Sequence, residues 1–219
     1  AREIAAFLCG QGIDRLVVAC NTASAVALPD LQKQCPVPVW GVIDPGVSAA
    51  TRATRTGSVG VIGTKATIGS GAYQRRLEAQ GFRVWAQACP MLVHVVEEDL
   101  ADSAEAELLV RHYLESRPAI DTLILGCTHY PLLRQAIQRV TGDGVTLVDS
   151  AEATAEVVSA SVEEAPLSGH GRVIHFVTGD SAAFAHTARV IGGVAGEIRL
   201  LPVTELALLP DECRDGAGG

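Results

Sequence analysis

An α/β fold of two similar lobes, each a mostly parallel sheet flanked by helices, is predicted by three features of the sequence. Short unbroken apolar runs such as 16–19 (LVVA) and 122–125 (TLIL) alternate with stretches of helical spacing. Runs without polar alternation suit parallel strands covered on both faces. The chain also echoes itself: LVVACNTAS and LILGCTHYP each stop at a small residue plus Cys, and an Asp follows 24 residues after Cys20 and 22 after Cys127. Beyond each Asp come a helical stretch and a strand ending in a Gly/Thr turn, GVIGT at 60–64 and HFVTG at 175–179. A chain of 219 residues, 48% hydrophobic, can bury one large core or two small ones, and the echo favours two.

The elements follow in order. Ile4, Phe7 and Leu8 share a helical face that Gly10 and Gly12 terminate; the apolar run to Cys20 is a buried strand, and the Ser/Ala-rich stretch after it is a helix stopped by Pro36 and Pro38. Residues 37–43 form a second strand ending at Asp44, with a helix over 47–55. Strand 58–62 ends at Gly63 and Thr64; a helix over 73–80 stops at Gly81, and strand 82–86 leads to Cys89 and Pro90. Residues 93–117 have helical spacing up to Pro118. Strand 122–125 ends at Gly126 and Cys127, a helix with Pro131 in its first turn runs to Val140, and strand 145–148 ends at Asp149. The tail supplies a helix over 151–163, a loop with Pro166 and Gly169, strand 172–177, a helix over 181–190, and a frayed polar end at 210–219. Residues 1–43 and 151–219 are assigned to the first lobe and 44–150 to the second, with the active site in the cleft between them.

Composition narrows the function. A net charge of -8 and only two lysines, Lys33 and Lys65, give no basic field for nucleic acid, and no apolar run approaches the roughly 20 residues of a membrane span. The six cysteines show no close pair or regular spacing, which fits free thiols in a reducing cytoplasm. No CxxC or HxxxH spacing marks a metal site, and the glycine-rich GVIGTKATIGSG matches neither common nucleotide-loop pattern. A pyridoxal-phosphate site would need a Schiff-base lysine, and Lys33 lies on a polar helical segment. No cofactor and no metal are therefore expected.

Cys20 and Cys127 both fall at the carboxyl end of a strand and just before a helix, where parallel sheets bind ligands and helix N–H groups favour a thiolate. One such cysteine is more often a buried thiol than a nucleophile. Two in equivalent positions fit a site that removes a proton from one face of a carbon and returns it on the other. Because the α-hydrogen of an amino acid is a weak acid, that chemistry also needs donors for the carboxylates and the developing negative charge. Asn21, Thr22, Thr128 and the backbone amides after each cysteine are placed to provide them.

The segments ACNTASA (19–25), GVIDPG (41–46), VGVIGTKATIGSGAY (59–73), ACPMLVHVVE (88–97) and LILGCTHYPLL (123–133) together resemble the cofactor-independent glutamate racemases of the aspartate/glutamate racemase superfamily. The resemblance implies that Cys20 acts on the D-enantiomer and Cys127 on the L-enantiomer. Asn21, Thr22, Thr64, Thr67 and Thr128 match positions that hold substrate carboxylates and ammonium. His129 matches a residue that assists the second cysteine, and its presence where aspartate-specific members carry Glu favours glutamate. Glu97 matches an auxiliary acid; as a helical carboxylate beside Glu98 and Asp99 it could equally be solvated. A cytoplasmic enzyme supplying D-glutamate for peptidoglycan, with a homodimer as a compatible assembly, is what the family implies.

The family's opening strand, its Asp-Ser-Gly-x-Gly-Gly turn and its later Pro-Tyr-Gly turn are not found before Cys20. The expectation is that about fifty residues, more than one βαβ unit, are missing. Either the sequence is a fragment of an active enzyme, or the piece is absent and the first lobe is incomplete; in the second case activity is strongly reduced and a sheet edge is left open to association. This keeps two alternatives in view: a racemase-like module that binds an acidic amino acid or a partner protein without turnover, and an aspartate-type racemase.

Overall fold

The computed structural model describes residues 1–162, 171–191, 193 and 195–206. In chain order it holds α1 (Arg2–Gly10), β1 (Leu16–Val18), α2 (Asn21–Gln34), β2 (Val39–Gly41), α3 (Ile43–Ala53), β3 (Ser58–Gly63), α4 (Lys65–Gly69), α5 (Ala72–Glu78) and β4 (Arg83–Ala88). It continues with α6 (Met91–Glu97), α7 (Ala104–Leu114), β5 (Thr122–Gly126), a 3₁₀ turn (Tyr130–Leu133), α8 (Arg134–Thr141), β6 (Thr146–Asp149) and α9 (Ser150–Ser161). The last elements are β7 (Ile174–Val177), α10 (Ser181–Val190), β8 (Glu197–Leu200) and α11 (Val203–Leu206). The loop at Pro166 and Gly169 and the polar end at 210–219 lie outside the described residues.

The chain divides into two compact units. One comprises Ala1–Leu16, Pro29–Val39 and the described part of Val162–Gly219; the other comprises Val17–Leu28 and Trp40–Ser161. In the first, β7 and β8 form a parallel pair, and Phe7 of α1 meets Phe176 of β7 edge-on with ring centroids 4.9 Å apart. In the second, four parallel strands run in the order β4-β3-β5-β6.

The apolar runs explain the larger sheet directly. Every residue of β3 and of β5 is buried, because helices cover both faces. One face packs Val59, Val61 and Ile124 against Ile43, Val47 and Ala50 of α3 and Tyr73 and Leu77 of α5. The other packs Ile62, Leu123 and Leu125 against α6, α7 and α8 through Val96, Val110 and Ile137. The parallel order places the carboxyl ends of β3 and β5 side by side, with Gly63 in register with Gly126.

Several local expectations are corrected. Residues 93–117 are two helices, not one: α6 ends at Glu97, Asp99 takes a left-handed φ of 58°, and Ser103 restarts the helix by accepting the Ala106 N–H at 3.1 Å. The spacing was helical, but the largely polar and exposed stretch at 98–103 favours turn conformations, and the Ser103 cap competes for the backbone. Asp44 does not end a strand. The strand stops at Gly41, and Asp44 lies in the first turn of α3, so only Asp149 holds the strand-end position that the internal echo assigned to both. Pro131 begins a 3₁₀ turn, and the α-helix starts after it. The short α4, β8 and α11 were not anticipated.

At the opposite, amino-terminal end of the strands, the buried Asp121 just before β5 gathers the Arg55 and Thr56 N–H groups at 2.7 Å each and the Thr54 hydroxyl at 2.7 Å. Burial alone would raise its pKa, but these donors outweigh it and hold the carboxyl well below its ordinary 3.8. A depressed acid contributes stability that is present above its unfolded value and lost as pH falls through the folded one. Asp121→Asn is expected to cost about 2 kcal/mol at neutral pH and to flatten the fall of melting temperature below pH 4. An unchanged acid profile in thermal melts would show that the knot contributes nothing.

Candidate active site

Cys20 and Cys127 both belong to the second unit. Cys20 is exposed and its carbonyl accepts the Ser24 N–H at 2.9 Å, so it is the residue on which α2 opens. The N–H groups of Asn21 and Thr22, in the first turn, are therefore without intrahelical acceptors. The entry strand and helix are tied by Ser24, whose hydroxyl donates to the Val18 carbonyl at 2.7 Å and accepts the Val42 N–H at 3.3 Å.

Cys127, 6% exposed, follows the last residue of β5. Burial pushes its thiol up, the His129 N–H and the Thr128 side chain oppose that, and the charges of Cys20 and Glu97 add to it. The net direction is upward, which corrects the expectation that a helix end would favour its thiolate: desolvation outweighs the donors, and a 3₁₀ turn follows rather than an α-helix. Two other thiols are held up by burial as well, Cys35 to about 11 and Cys89 to about 12. The described cysteines are all free.

His129 and Glu97 extend from Cys127 as a relay. The thiol lies 3.7 Å from His129 Nδ1, and His129 Nε2 lies 3.2 Å from Glu97 Oε1. With Nε2–H donating to the carboxylate, Nδ1 is left as the acceptor facing the thiol. His129 is 22% exposed and Glu97 45%, so the relay leads from a buried sulfur to solvent. Glu97, at the end of α6, is thus partnered by His129.

Three of the threonines form a closed cluster. Thr22 Oγ1 lies 2.9 Å from Thr64 Oγ1 and 3.0 Å from Thr67 Oγ1, and the last two are 3.0 Å apart. Thr64 caps α4 by accepting the Thr67 N–H at 3.1 Å, which fixes the pair on the turn after β3. Three hydroxyls carry three protons; circulating among themselves here, they can instead all donate to one carboxylate. Thr128 is exposed beside Cys127 and stands outside this cluster.

Asn21 is 3% exposed, and both ends of its amide are engaged: Oδ1 accepts the Tyr73 hydroxyl at 2.6 Å, and Nδ2 donates to Ser150 Oγ at 3.2 Å. Neither Tyr73 nor Ser150 was singled out from the sequence. Tyr73 closes a segment already noted for its glycines and threonines, but an aromatic on a helical face carries no signal of a polar task. Ser150 is the residue after the strand-ending Asp149, a position that could have drawn attention through the internal echo.

Comparison with known proteins places this geometry in context. Residues 1–158 match the family described as Asp/Glu/Hydantoin racemase. Over 210 residues the chain is 48% identical to the glutamate racemase of Thermus thermophilus, covering 94% of this chain and 79% of that protein. The crystal structure of a Thermus thermophilus glutamate racemase in complex with β-chloro-D-alanine is similar with a TM-score of 0.84 at 47% identity, over 93% of this chain and 78% of that one. A Francisella tularensis glutamate racemase bound to D-glutamate gives a TM-score of 0.82 at 28% identity, over 92% and 78%.

Proposed function

Since the chain belongs to the Asp/Glu/Hydantoin racemase family, we propose that it interconverts L- and D-glutamate by two-base chemistry, with Cys20 and Cys127 as the acid–base pair. The observation that carries the reading is that one compact unit holds an exposed thiol at the opening of α2 and a buried thiol at the end of β5 that is backed by an imidazole.

From D-glutamate, Cys20 as thiolate takes the α-proton, and Cys127 as thiol delivers its own proton to the other face of the carbanion. The reverse direction exchanges the roles. Thr22, Thr64 and Thr67 turn their hydroxyls to a substrate carboxylate, the N–H groups of Asn21 and Thr22 add fixed donors, and Thr128 serves beside Cys127. After a D-to-L turnover Cys20 is protonated and Cys127 is charged, so both must be reset. Cys20 exchanges with solvent directly. Cys127, being buried, does so through His129: as imidazolium, with its Nε2–H held by Glu97, the ring gives its Nδ1 proton to the thiolate and is left with Nδ1 as the acceptor facing the thiol. This gives the relay a task that the exposed thiol does not need. No cofactor enters this scheme, and the product fits D-glutamate supply for peptidoglycan in the cytoplasm.

The test is incubation with each enantiomer in D2O. Racemisation with solvent deuterium at the α-carbon of the product is expected; glutamate that binds yet keeps its α-hydrogen would identify a binding module instead. Aspartate in the same assay separates the two substrates.

Glu97 is one of the charges that raise the Cys127 thiol, so Glu97→Gln should lower the pH at which Cys127 is alkylated by iodoacetamide. It should also slow turnover about 10-fold, since a hydrogen bond to a charged group is worth about 1.5–3 kcal/mol and this carboxylate is half in solvent. An alkylation midpoint that stays or rises would remove Glu97 from the relay.

A further inference from the structure

The contacts of Asn21 connect the two cysteines through the protein interior. Tyr73 is fully buried in α5, and its hydroxyl donates to Asn21 Oδ1 at 2.6 Å. Ser150, at the start of α9, receives the Asn21 amide at 3.2 Å and donates to the Leu125 carbonyl at 3.4 Å. Asn21 adjoins Cys20, and Leu125 lies two residues before Cys127.

The tyrosine ring is fitted to the same place by two glycines. A Cβ at Gly46 would stand 3.1 Å from the Tyr73 hydroxyl, and one at Gly126 would stand 3.3 Å from its ring. Tyr73 thus touches the residue after Cys20 through a hydrogen bond and the residue before Cys127 through packing. Burial pushes its phenol up, so it stays a donor throughout the working pH range.

The geometry points to Tyr73 and Ser150 as positioning residues that set the separation and aim of the two thiols. They touch no reacting atom; they act through Asn21 on Cys20 and through the Leu125–Gly126 backbone on Cys127. The assignment rests on the two-cysteine reading above. In that reaction the α C–H bond breaks to one sulfur, and a new C–H bond forms with the proton of the other. If the second sulfur is misplaced, the carbanion recovers a proton from the first instead. The substrate then returns with its configuration kept and, after exchange of that thiol with D2O, with deuterium in place of hydrogen.

This gives a readout that simple loss of stability would not move. Tyr73→Phe keeps the ring against Gly126 and removes only the hydroxyl; Ser150→Ala removes the other contact to Asn21. The full chain and both variants are assayed in D2O with each enantiomer. Racemisation is followed by circular dichroism, deuterium in the recovered substrate by mass spectrometry, and folding by thermal melts. Racemisation is expected to fall about 10- to 100-fold, the scale on which small misplacements act. Exchange into recovered substrate should fall much less, so the ratio of exchange to racemisation rises at least about fivefold. A ratio unchanged in a folded variant overturns the assignment, and Ser150→Ala carries the test alone if Tyr73→Phe does not fold. A wild-type chain that neither racemises glutamate nor exchanges its α-proton is a different result: it removes the two-cysteine reading itself.

Discussion

Cys127→Ser is expected to lower racemisation in both directions by about 10²- to 10⁴-fold or more, with little change in melting temperature. Cys20→Ser should do the same. A serine hydroxyl is nearly the size of a thiol but a far weaker acid, so each exchange leaves the shape and removes the proton carrier. The two variants should differ in what survives. With Cys127 replaced, D-glutamate still meets its base at Cys20 and should exchange its α-hydrogen without inverting; with Cys20 replaced, L-glutamate should do so at Cys127. Full activity in either variant refutes the assignment of that cysteine. Equal loss of exchange from both enantiomers in both variants would contradict the division of labour between them.

The second large effect is expected at Gly126. It lies in register with Gly63 of β3, and an added Cβ would stand 2.7 Å from the Ile62 carbonyl oxygen. That neighbour is backbone in a fully buried strand and cannot rotate away. Gly126→Ala should therefore cost about 3 kcal/mol, a fall of roughly 6–12 °C in melting temperature for a chain of this size. It should also displace Cys127, the next residue, and depress turnover beyond what the loss of stability explains. A loss below about 1 kcal/mol would mean that the strand ends are free to separate.

The sequence disclosed the parts of the fold that depend on local pattern. Residues 58–62 and 122–125 could be read as buried strands because their apolar runs have no polar alternation, and α10 because Asp180, its N-cap, precedes a clean helical period. The break between α6 and α7 was hidden because helical spacing persists across it; what ends α6 is the left-handed turn at Asp99 and the Ser103 cap, both local details within a polar stretch. Asp44 was misplaced because Pro45 suits the first turn of a helix as readily as the residue after a strand.

At the site, the two cysteines and the threonines were visible because hydroxyl and thiol residues follow the ends of apolar runs. Their mutual geometry was not. That Thr22 meets Thr64 and Thr67, some forty residues on, follows from the tertiary fold. So does the buried environment that raises Cys127, which a motif cannot disclose: the same CTH on an exposed turn would have a lower thiol pKa. The role of Tyr73 depends wholly on what surrounds it, namely two glycines that make room for the ring and an amide that receives its hydroxyl.

Inversion by two bases requires a single α-carbon to sit between the two sulfurs. A crystal structure of the chain with bound D-glutamate tests it most directly. Cys20 Sγ and Cys127 Sγ are expected on opposite faces of that carbon, each about 3–4 Å away, with a carboxylate on the Thr22, Thr64 and Thr67 hydroxyls. Both sulfurs on one face, or either of them out of reach of the carbon, would contradict it.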